Sequence, residues 1–411
     1  MEINGADTAW VLLSTALVML MTPALGLFYG GLVRQKNVLS TIMHSFFMLA
    51  LISVQWVLVG YSLAFGPDVG GMGIIGGLDW VGLRGVGMEP NPTYAATIPH
   101  QAFMVYQMMF AVITPALISG AFAERKRFKS YVIFSLLWST LVYAPVAHWV
   151  WADGGWIRNL GALDFAGGTV VHITSGVSAL VFALMLGKRS GYGAEKMDPH
   201  NVTMTVLGAG LLWFGWFGFN AGSTLAVNGL TVTTFLNTNL AAAMAALAWM
   251  TGSWMHSKRP SVLGASAGAV AGLVGITPAA GFVTPMASLL IGFAAGLSCF
   301  LVVEFVIRRR IDDALDVFGV HGIGGIVGAL LTGVFASTAI NSAGRDGLLY
   351  GNPAQLGIQA FAVVVVATYA AAVTFGILKV LDLAFKLRVS LPDERQGLDV
   401  SQHGENGYQM G

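Results

Sequence analysis

Charged side chains are scarce in this sequence. Only 10% of its 411 residues are Asp, Glu, Lys or Arg, and 55% are hydrophobic, whereas a soluble domain typically carries about 25% charged residues. The net charge of +1 lacks the basic bias that nucleic-acid-binding proteins show. The composition therefore argues against a soluble fold and a nucleic-acid partner, and it indicates a protein embedded in the lipid bilayer.

Cysteine and processing signals are also nearly absent. Cys299 is the only cysteine, so an intrachain disulfide cannot form and cysteine usage does not report the redox compartment. The first ten residues lack a basic region before the apolar run, so we expect no signal peptide and expect the first helix to direct insertion. The sequence has no glycine-rich phosphate loop, HExxH zinc pair or nucleophile elbow. We therefore expect a protein that is not an enzyme and needs no cofactor or metal.

Long apolar stretches are what the sequence does contain. A spanning helix needs about 20 mostly apolar residues, and eleven stretches approach this length, the eighth being short and rich in glycine. The prediction is an all-α integral membrane protein with eleven transmembrane helices. The predicted spans begin near Thr8, Ser40, Pro99, Phe128, Asp164, Val202, Thr231, Val262, Phe282, Asp313 and Ala354.

The basic residues predict how the helices are oriented. If the N-terminus lies outside, all but three of the 21 lysines and arginines fall in or near cytoplasmic segments, as the positive-inside rule requires. The three exceptions are Arg84, Arg158 and Arg345. We therefore expect an external N-terminus and a cytoplasmic C-terminus.

Two spans share a pattern that suggests an internal repeat. The fifth begins at Asp164 and carries His172, and the tenth begins at Asp313 and carries His321, so each Asp precedes its His by eight residues. Because the spans are five apart, the two halves would be inverted in the membrane, with a site at their interface. Eight residues of straight helix rise about 12 Å, so the two histidines would meet near the middle of the bilayer.

An ionisable residue inside a span is costly and suggests function by default. A neutral imidazole accepts a hydrogen bond at one nitrogen and donates at the other, so His172 and His321 sharing one proton would offer an acceptor to a small solute. Two alternatives remain open at this point. The histidines either pack between helices and bond to carbonyl groups, or they face each other as ligands of a haem iron.

Phe219 and Ser223 are four residues apart near the outer end of the sixth span, so they share one helix face. An aromatic face attracts a desolvated cation by about 2 kcal/mol, and a hydroxyl adds an acceptor. The alternative is an aromatic belt at the membrane interface, which we prefer for Trp213 and Trp216. Asp164 opens its span, where Asp is favoured as an N-cap.

Three stretches resemble the ammonium transporter (Amt/Mep/Rh) family, and two more support the resemblance. The first three are ALDFAGGTVVH (162–172), GWFGFNAGS (215–223) and DVFGVHG (316–322). The others are FYGGLVRQKN (28–37) and GLDVSQHGEN (397–406). The matches occur in order along nearly the whole chain, and they resemble the bacterial Amt branch more than the Rh branch.

The resemblance implies a homotrimer in which each subunit has its own pore, and five-plus-five inverted symmetry followed by a final helix. It implies that Phe110 and Phe219 stack as a gate and that His172 and His321 line the narrow pore. It also implies an outer ammonium site formed by Trp151, Phe219, Ser223 and Phe110, with Asp164 supporting it. Asp153 and Tyr106 depart from the family pattern near this site, at positions where glycine and phenylalanine are expected.

The resemblance further implies a division into a transporter domain (1–387) and a cytoplasmic regulatory tail (388–411), in the plasma membrane of a bacterium. The tail would contact a PII-type nitrogen signalling protein. We expect ammonium to lose its proton near the gate and ammonia to cross the pore, with a proton following separately. Alternatives are an ammonium sensor, for which the tail is short, and an electroneutral ammonia channel of the Rh kind.

Overall fold

The computed structural model describes residues 2–408; Met1 and the last three residues of the predicted tail lie outside the described residues. Ten helices within this range are long and apolar enough to cross a membrane, and an eleventh, Val262–Ile276, is shorter. We number them α1 to α11 in chain order: Gly5–Leu32, Gln35–Phe65, His100–Phe122, Phe128–Leu160, Gly168–Leu186, Val202–Thr224, Gly229–Ser257, Val262–Ile276, Pro285–Arg310, Phe318–Phe335 and Pro353–Phe385.

The helix count agrees only partly with the prediction of eleven spans. Helix α8 has 15 residues, a length of about 22 Å at 1.5 Å per residue, which is less than the roughly 30 Å of a bilayer core. Its glycines serve close packing, as the composition suggested, because a Cβ on Gly268 would lie 2.6 Å from the Cβ of Trp249 on α7. Helix α4 includes a non-helical turn at residues 152–155.

A short β-hairpin lies between α2 and α3. There, strand β1 (Pro90–Asn91) pairs antiparallel with strand β2 (Ala95–Pro99). Next to it, the backbone N–H of Asn4 donates to the carbonyl of Thr97 at 2.8 Å, which ties the start of α1 to this hairpin.

Charged loops meet at one end of the bundle, which we call the basic end. Arg34 after α1 pairs with Glu124 after α3 at 2.7 Å, and Arg189 after α5 pairs with Asp312 after α9 at 2.8 Å. Burial raises the pKa of Glu124, but the guanidinium groups of Arg189 and Arg34 outweigh it and hold the pKa below its usual range. The structure therefore gathers loops that the positive-inside rule assigned to one side, whereas the membrane side they face stays a prediction.

The C-terminal segment packs on the same basic end. A short helix α12 (Leu391–Gln396) and a π-helical turn (Asp399–His403) follow α11. The carboxylate of Asp399 accepts the backbone N–H groups of Leu39 at 3.1 Å and Ser40 at 2.8 Å, and so caps the start of α2. The predicted tail is thus a bound element of the fold.

Helices α5 and α10 cross each other at equivalent positions. Gly176 lies four residues after His172, and a Cβ there would overlap the backbone of Gly322. Gly325 lies four residues after His321, and a Cβ there would lie 2.9 Å from the carbonyl oxygen of Gly168. Each of these two glycines thus packs against the backbone of the first turn of the other helix. The glycines permit the backbone contact that brings the two histidines together.

Candidate functional site

His172 and His321 meet where these two helices cross. Their Nδ1 atoms are 3.2 Å apart, and the rings are nearly parallel, with centroids 5.3 Å apart. The side chains are buried, with 1% and 3% of their residue surfaces exposed. At this distance one Nδ1 donates a proton to the other, so the pair shares a single proton along this contact.

Both histidines lie in π-helical turns, Gly168–Ile173 and Phe318–Gly322. Such turns inside helices often occur at functional sites. The helices start four or five residues later than the predicted starts at Asp164 and Asp313, so the assumption of a straight α-helix from each Asp to its His is wrong. The residues between them are non-helical because each aspartate turns back to bind the backbone of the helix that follows.

Asp164 binds more backbone groups than an ordinary N-cap. Its Oδ1 accepts the N–H groups of Gly167 and Gly168, and its Oδ2 accepts those of Thr169 and Val170, at 2.7 to 3.0 Å. These are free donors at the start of a helix. Burial raises the pKa of Asp164 against the opposing effect of these bonds. The carboxylate thus fixes the turn that carries His172.

Trp216 lies beside the histidines, although we predicted that it belongs to an interfacial belt. Its side chain is 2% exposed, its ring stacks on that of His172 with centroids 5.4 Å apart, and its Nε1 donates to Thr277 at 2.9 Å. The belt prediction for Trp216 is therefore wrong. The spacing of three residues from Phe219, which places both on one helix face, was the signal that could have identified it.

Phe110 and Phe219 form a ring pair next to the histidines. Their centroids are 4.3 Å apart, and the ring of Phe219 lies 6.0 Å from that of His172. Trp151 approaches Phe110 edge-on at 6.0 Å and donates its Nε1 proton to the carbonyl oxygen of Asp164 at 2.9 Å. The predicted site residues on α3, α4 and α6 are therefore neighbours.

Ser223 completes this group together with Tyr106, which the sequence analysis named as a departure from the family pattern and not as a site residue. The Ser223 hydroxyl donates to the carbonyl of Phe219 at 2.9 Å, and the Tyr106 hydroxyl lies 3.1 Å from Ser223 Oγ. Tyr106 also reaches the carbonyl of Gly218 at 2.8 Å. Tyr106 precedes Phe110 by four residues on α3 and so shares its face. This spacing could have identified Tyr106 as a site residue.

Two cavities meet at His321. A small cavity of about 10 Å³ lies beside the two histidines and is bordered by Phe219, and a cavity of about 600 Å³ opens from His321 toward the basic end. A volume of about 10–15 Å³ is the minimum that holds one water molecule. The small cavity is lined by Met21, Leu25, Phe28, Ile113, Leu117, Val171, His172, Leu212, Trp216, Phe219, Val270 and His321.

The geometry of the histidine pair disfavours the haem alternative. Ligands on opposite faces of one iron would hold their nitrogens about 4 Å apart, with the porphyrin between the rings, whereas His172 and His321 contact each other directly at 3.2 Å. Among the described residues, no group of three His, Cys, Asp or Glu side chains is arranged to hold a metal ion. The arrangement suits instead a small polar molecule passing along an apolar path with two imidazoles on one side.

Comparisons with known proteins agree along almost the whole chain. The model of the Ammonium Transporter Family matches residues 9–408. The ammonium transporter of Bacillus subtilis is 54% identical over 405 residues, which are 98% of this chain and 98% of that protein. The crystal structure of Saccharomyces cerevisiae Mep2 aligns with a TM-score of 0.89 at 39% identity, covering 94% of this chain and 91% of Mep2. A structure described as a sensor Amt protein aligns with a TM-score of 0.89 at 30% identity, covering 97% of this chain and 98% of the other.

Proposed function

Because this chain belongs to the Ammonium Transporter Family, we propose that it recruits ammonium at the Trp151 end, removes one proton and conducts ammonia past the paired histidines. The chain is a multi-pass protein of the plasma membrane. The observation that carries the proposal is the 10 Å³ cavity beside the two histidines, bordered by Phe219. It fits one molecule of the size of ammonia.

Recruitment rests on three aromatic rings and a hydroxyl. Trp151 and Ser223 are partly exposed, whereas Phe110 and Phe219 are buried behind them. A cation over an aromatic face gains about 2 kcal/mol when it is desolvated. Ser223 donates its own proton to a backbone carbonyl, so even with the Tyr106 hydroxyl 3.1 Å away its oxygen keeps a lone pair that can accept an N–H of ammonium.

Deprotonation follows from what lies beyond the rings. The small cavity is lined mainly by apolar side chains, and moving an unpaired ion into such surroundings costs far more than moving a neutral polar molecule. Neutral ammonia is therefore the species that crosses. The Nε2 atom of His172 is buried without a hydrogen-bond partner among the described residues, so it offers ammonia a polar contact at the centre of the path.

The histidines also provide a route for the proton. Since their Nδ1 atoms are in hydrogen-bond contact, a proton taken up by one imidazole is passed to the other along that bond. The expected result is one ammonia and one proton per cycle, moving on separate paths. This makes transport electrogenic, which separates it from the electroneutral ammonia channel.

The test is the current that ammonium evokes in proteoliposomes, with potassium as the control ion. We expect a saturable ammonium current and no potassium current from the native chain. Replacing both histidines (His172→Ala with His321→Ala) should abolish the current or its selectivity for ammonium over potassium, whereas His256→Ala, at an exposed histidine on α7, should leave both unchanged. A double variant with native rate and selectivity would disprove the role of the pair.

The same experiment separates the other functions. Alkalinisation of the vesicle lumen without current indicates passive ammonia conduction. Binding of ammonium without either signal indicates a sensor, which the structural similarity to a sensor Amt protein makes worth measuring. We favour transport because the more similar Bacillus subtilis protein, at 54% identity, is described as an ammonium transporter.

The proposal extends to two partners. A homotrimer would bury apolar membrane-facing side chains, and it predicts a protein mass near three times 43.3 kDa by light scattering, after subtraction of detergent. A PII-type protein would bind the basic end, where the tail packs on the start of α2. Binding of a PII protein to vesicles that expose this end, and inhibition of the ammonium current by it, test that contact.

A further inference from the structure

Asp313 is a buried carboxylate that the proposed pathway leaves without a role. Its Oδ2 accepts the backbone N–H of Phe318 at 2.7 Å, but its Oδ1 is buried without a hydrogen-bond partner among the described residues. The residue is 5% exposed. A buried carboxylate oxygen without a partner is costly, so its presence here calls for a reason other than stability.

The charged groups around Asp313 do not supply the missing partner. The Tyr29 hydroxyl on α1 donates to a backbone carbonyl of α3 at 3.0 Å. Arg125 after α3 directs its guanidinium at backbone carbonyls. Asp316, in the same loop, is paired with Arg308 at 2.9 Å. Arg125 also lies 3.9 Å from the Asp312 carboxylate, and its buried Nε has no hydrogen-bond partner among the described residues. None of these groups is hydrogen-bonded to Asp313 Oδ1, which leaves this oxygen available to a molecule or proton that arrives from the pathway.

The position of Asp313 puts it beside the end of the pore. Asp313 and His321 both line the 600 Å³ cavity, and His321 also lines the small cavity. Burial and, to a lesser extent, the carboxylate of Asp316 raise the pKa of Asp313 to about 7, against the opposing effects of the backbone N–H groups of Phe318 and Val317 and of Arg125. At neutral pH this carboxyl group therefore exchanges its proton readily, which a surface aspartate with a pKa near 4 does not.

We infer that Asp313 is the group that returns the proton to ammonia where the pore opens into the large cavity. This inference rests on the proposed function. The nitrogen lone pair of ammonia takes the proton of the Asp313 carboxylic acid, so that an O–H bond breaks, an N–H bond forms, and ammonium and a carboxylate result. The carboxylate then regains a proton from the one that crossed along the histidines. One ammonia and one proton thus leave as one ammonium ion.

The same cavity suits the product. Five carboxylates and two guanidinium groups line it, so the ammonium formed at Asp313 enters a cavity in which acidic groups outnumber basic ones: Glu195, Glu304, Asp312, Asp313 and Asp316 against Arg189 and Arg308. Cations gain from nearby carboxylates even where solvent screens them. Glu195, Glu304 and Asp316 do not share the proposed role of Asp313 as a proton donor. Glu304 and Asp316 are paired with Arg308, and Glu195 is exposed, whereas Asp313 is buried with one unpaired oxygen.

The experiment compares Asp313→Asn with Glu304→Gln in proteoliposomes whose lumen faces the tail, so that the internal buffer sets the pH at Asp313. Asparagine keeps the acceptor for the N–H of Phe318 but cannot carry the proton. We expect Asp313→Asn to lower the ammonium current at least tenfold and to leave ammonia-driven alkalinisation in place. Glu304→Gln, which removes a carboxylate from the same cavity, should stay within twofold of the native current.

The native protein provides a second readout that a structural role would not move. Its current should depend on the internal pH with a midpoint near 7, and Asp313→Asn should remove that dependence. A variant with native current and the same internal pH profile would overturn the inference, as would one that loses alkalinisation together with current. Absence of any ammonium current from the native chain would instead refute the proposed function on which the inference rests.

Discussion

The two aspartates that precede the paired histidines occupy equivalent places in the repeat but are bonded differently. Asp164 uses both oxygens to accept four backbone N–H groups, whereas Asp313 accepts that of Phe318 with one oxygen and leaves the other without a partner. The bonding of Asp164 is therefore that of a structural residue. The bonding of Asp313 leaves one carboxylate oxygen free to take up and release a proton. Sequence symmetry between the halves does not imply equal roles.

The largest effect that would test this contrast is on stability. Asp164→Ala leaves four buried N–H groups without acceptors, and each unsatisfied group costs about 1–3 kcal/mol, so we expect a loss of at least about 4 kcal/mol. Asp313→Ala frees the single N–H of Phe318 and should cost about 1–3 kcal/mol. Apparent melting temperatures in detergent measure the difference. Equal shifts for the two variants would contradict the conclusion that Asp164 contributes more to stability than Asp313.

A smaller difference is expected at the helix crossing. Gly176→Ala would overlap the backbone of Gly322, whereas Gly325→Ala would meet the carbonyl oxygen of Gly168 at 2.9 Å. Overpacking typically costs about 1–3 kcal/mol, and we expect Gly176→Ala at the upper end and Gly325→Ala at the lower end. Thermal unfolding and the ammonium current of the two variants check the order. A reversed order would mean that the crossing relaxes around α5 more easily than around α10.

A further effect is a gain in stability that depends on pH. The folded pKa of Asp313, about 7, lies above the ordinary value near 3.9, so the folded protein holds this proton more tightly and loses stability as the pH rises from about 4 to 7. Asp313→Asn removes that loss. We expect the variant to melt about 2 °C or more above the native protein at pH 8, with the gap closing toward pH 4. A gap that is independent of pH would show that Asp313 does not titrate in this range.

Much of the fold could be predicted because its signals are local. Apolar length and basic loops located the helices, and a spacing of eight residues identified His172 and His321, which the structure brings into contact. The helix starts were wrong at Asp164 and Asp313, because hydrophobicity does not reveal a carboxylate that folds back onto the next helix. The roles of Trp151 and Phe110 came from the family resemblance, that of Ser223 came from its spacing with Phe219 as well as from the resemblance, and all three remain proposals.

The features that the sequence could not provide depend on contacts between distant helices. Tyr106 reaches Ser223 only because α3 and α6 lie side by side. Trp216 was placed in the membrane interface because tryptophan is common there, and its true position depends on which face of α6 meets α5. The unequal bonding of the two aspartates likewise depends on loop conformations that their shared spacing conceals.

The small cavity has a kinetic consequence. A space of about 10 Å³ holds one molecule at a time, so successive molecules cannot overtake or push each other through it. Molecules therefore pass along the proposed route one at a time, and the flux saturates once the cavity is refilled as fast as it empties. Raising the external ammonium concentration beyond that point does not shorten the time that each molecule spends in the cavity, so the flux does not rise further.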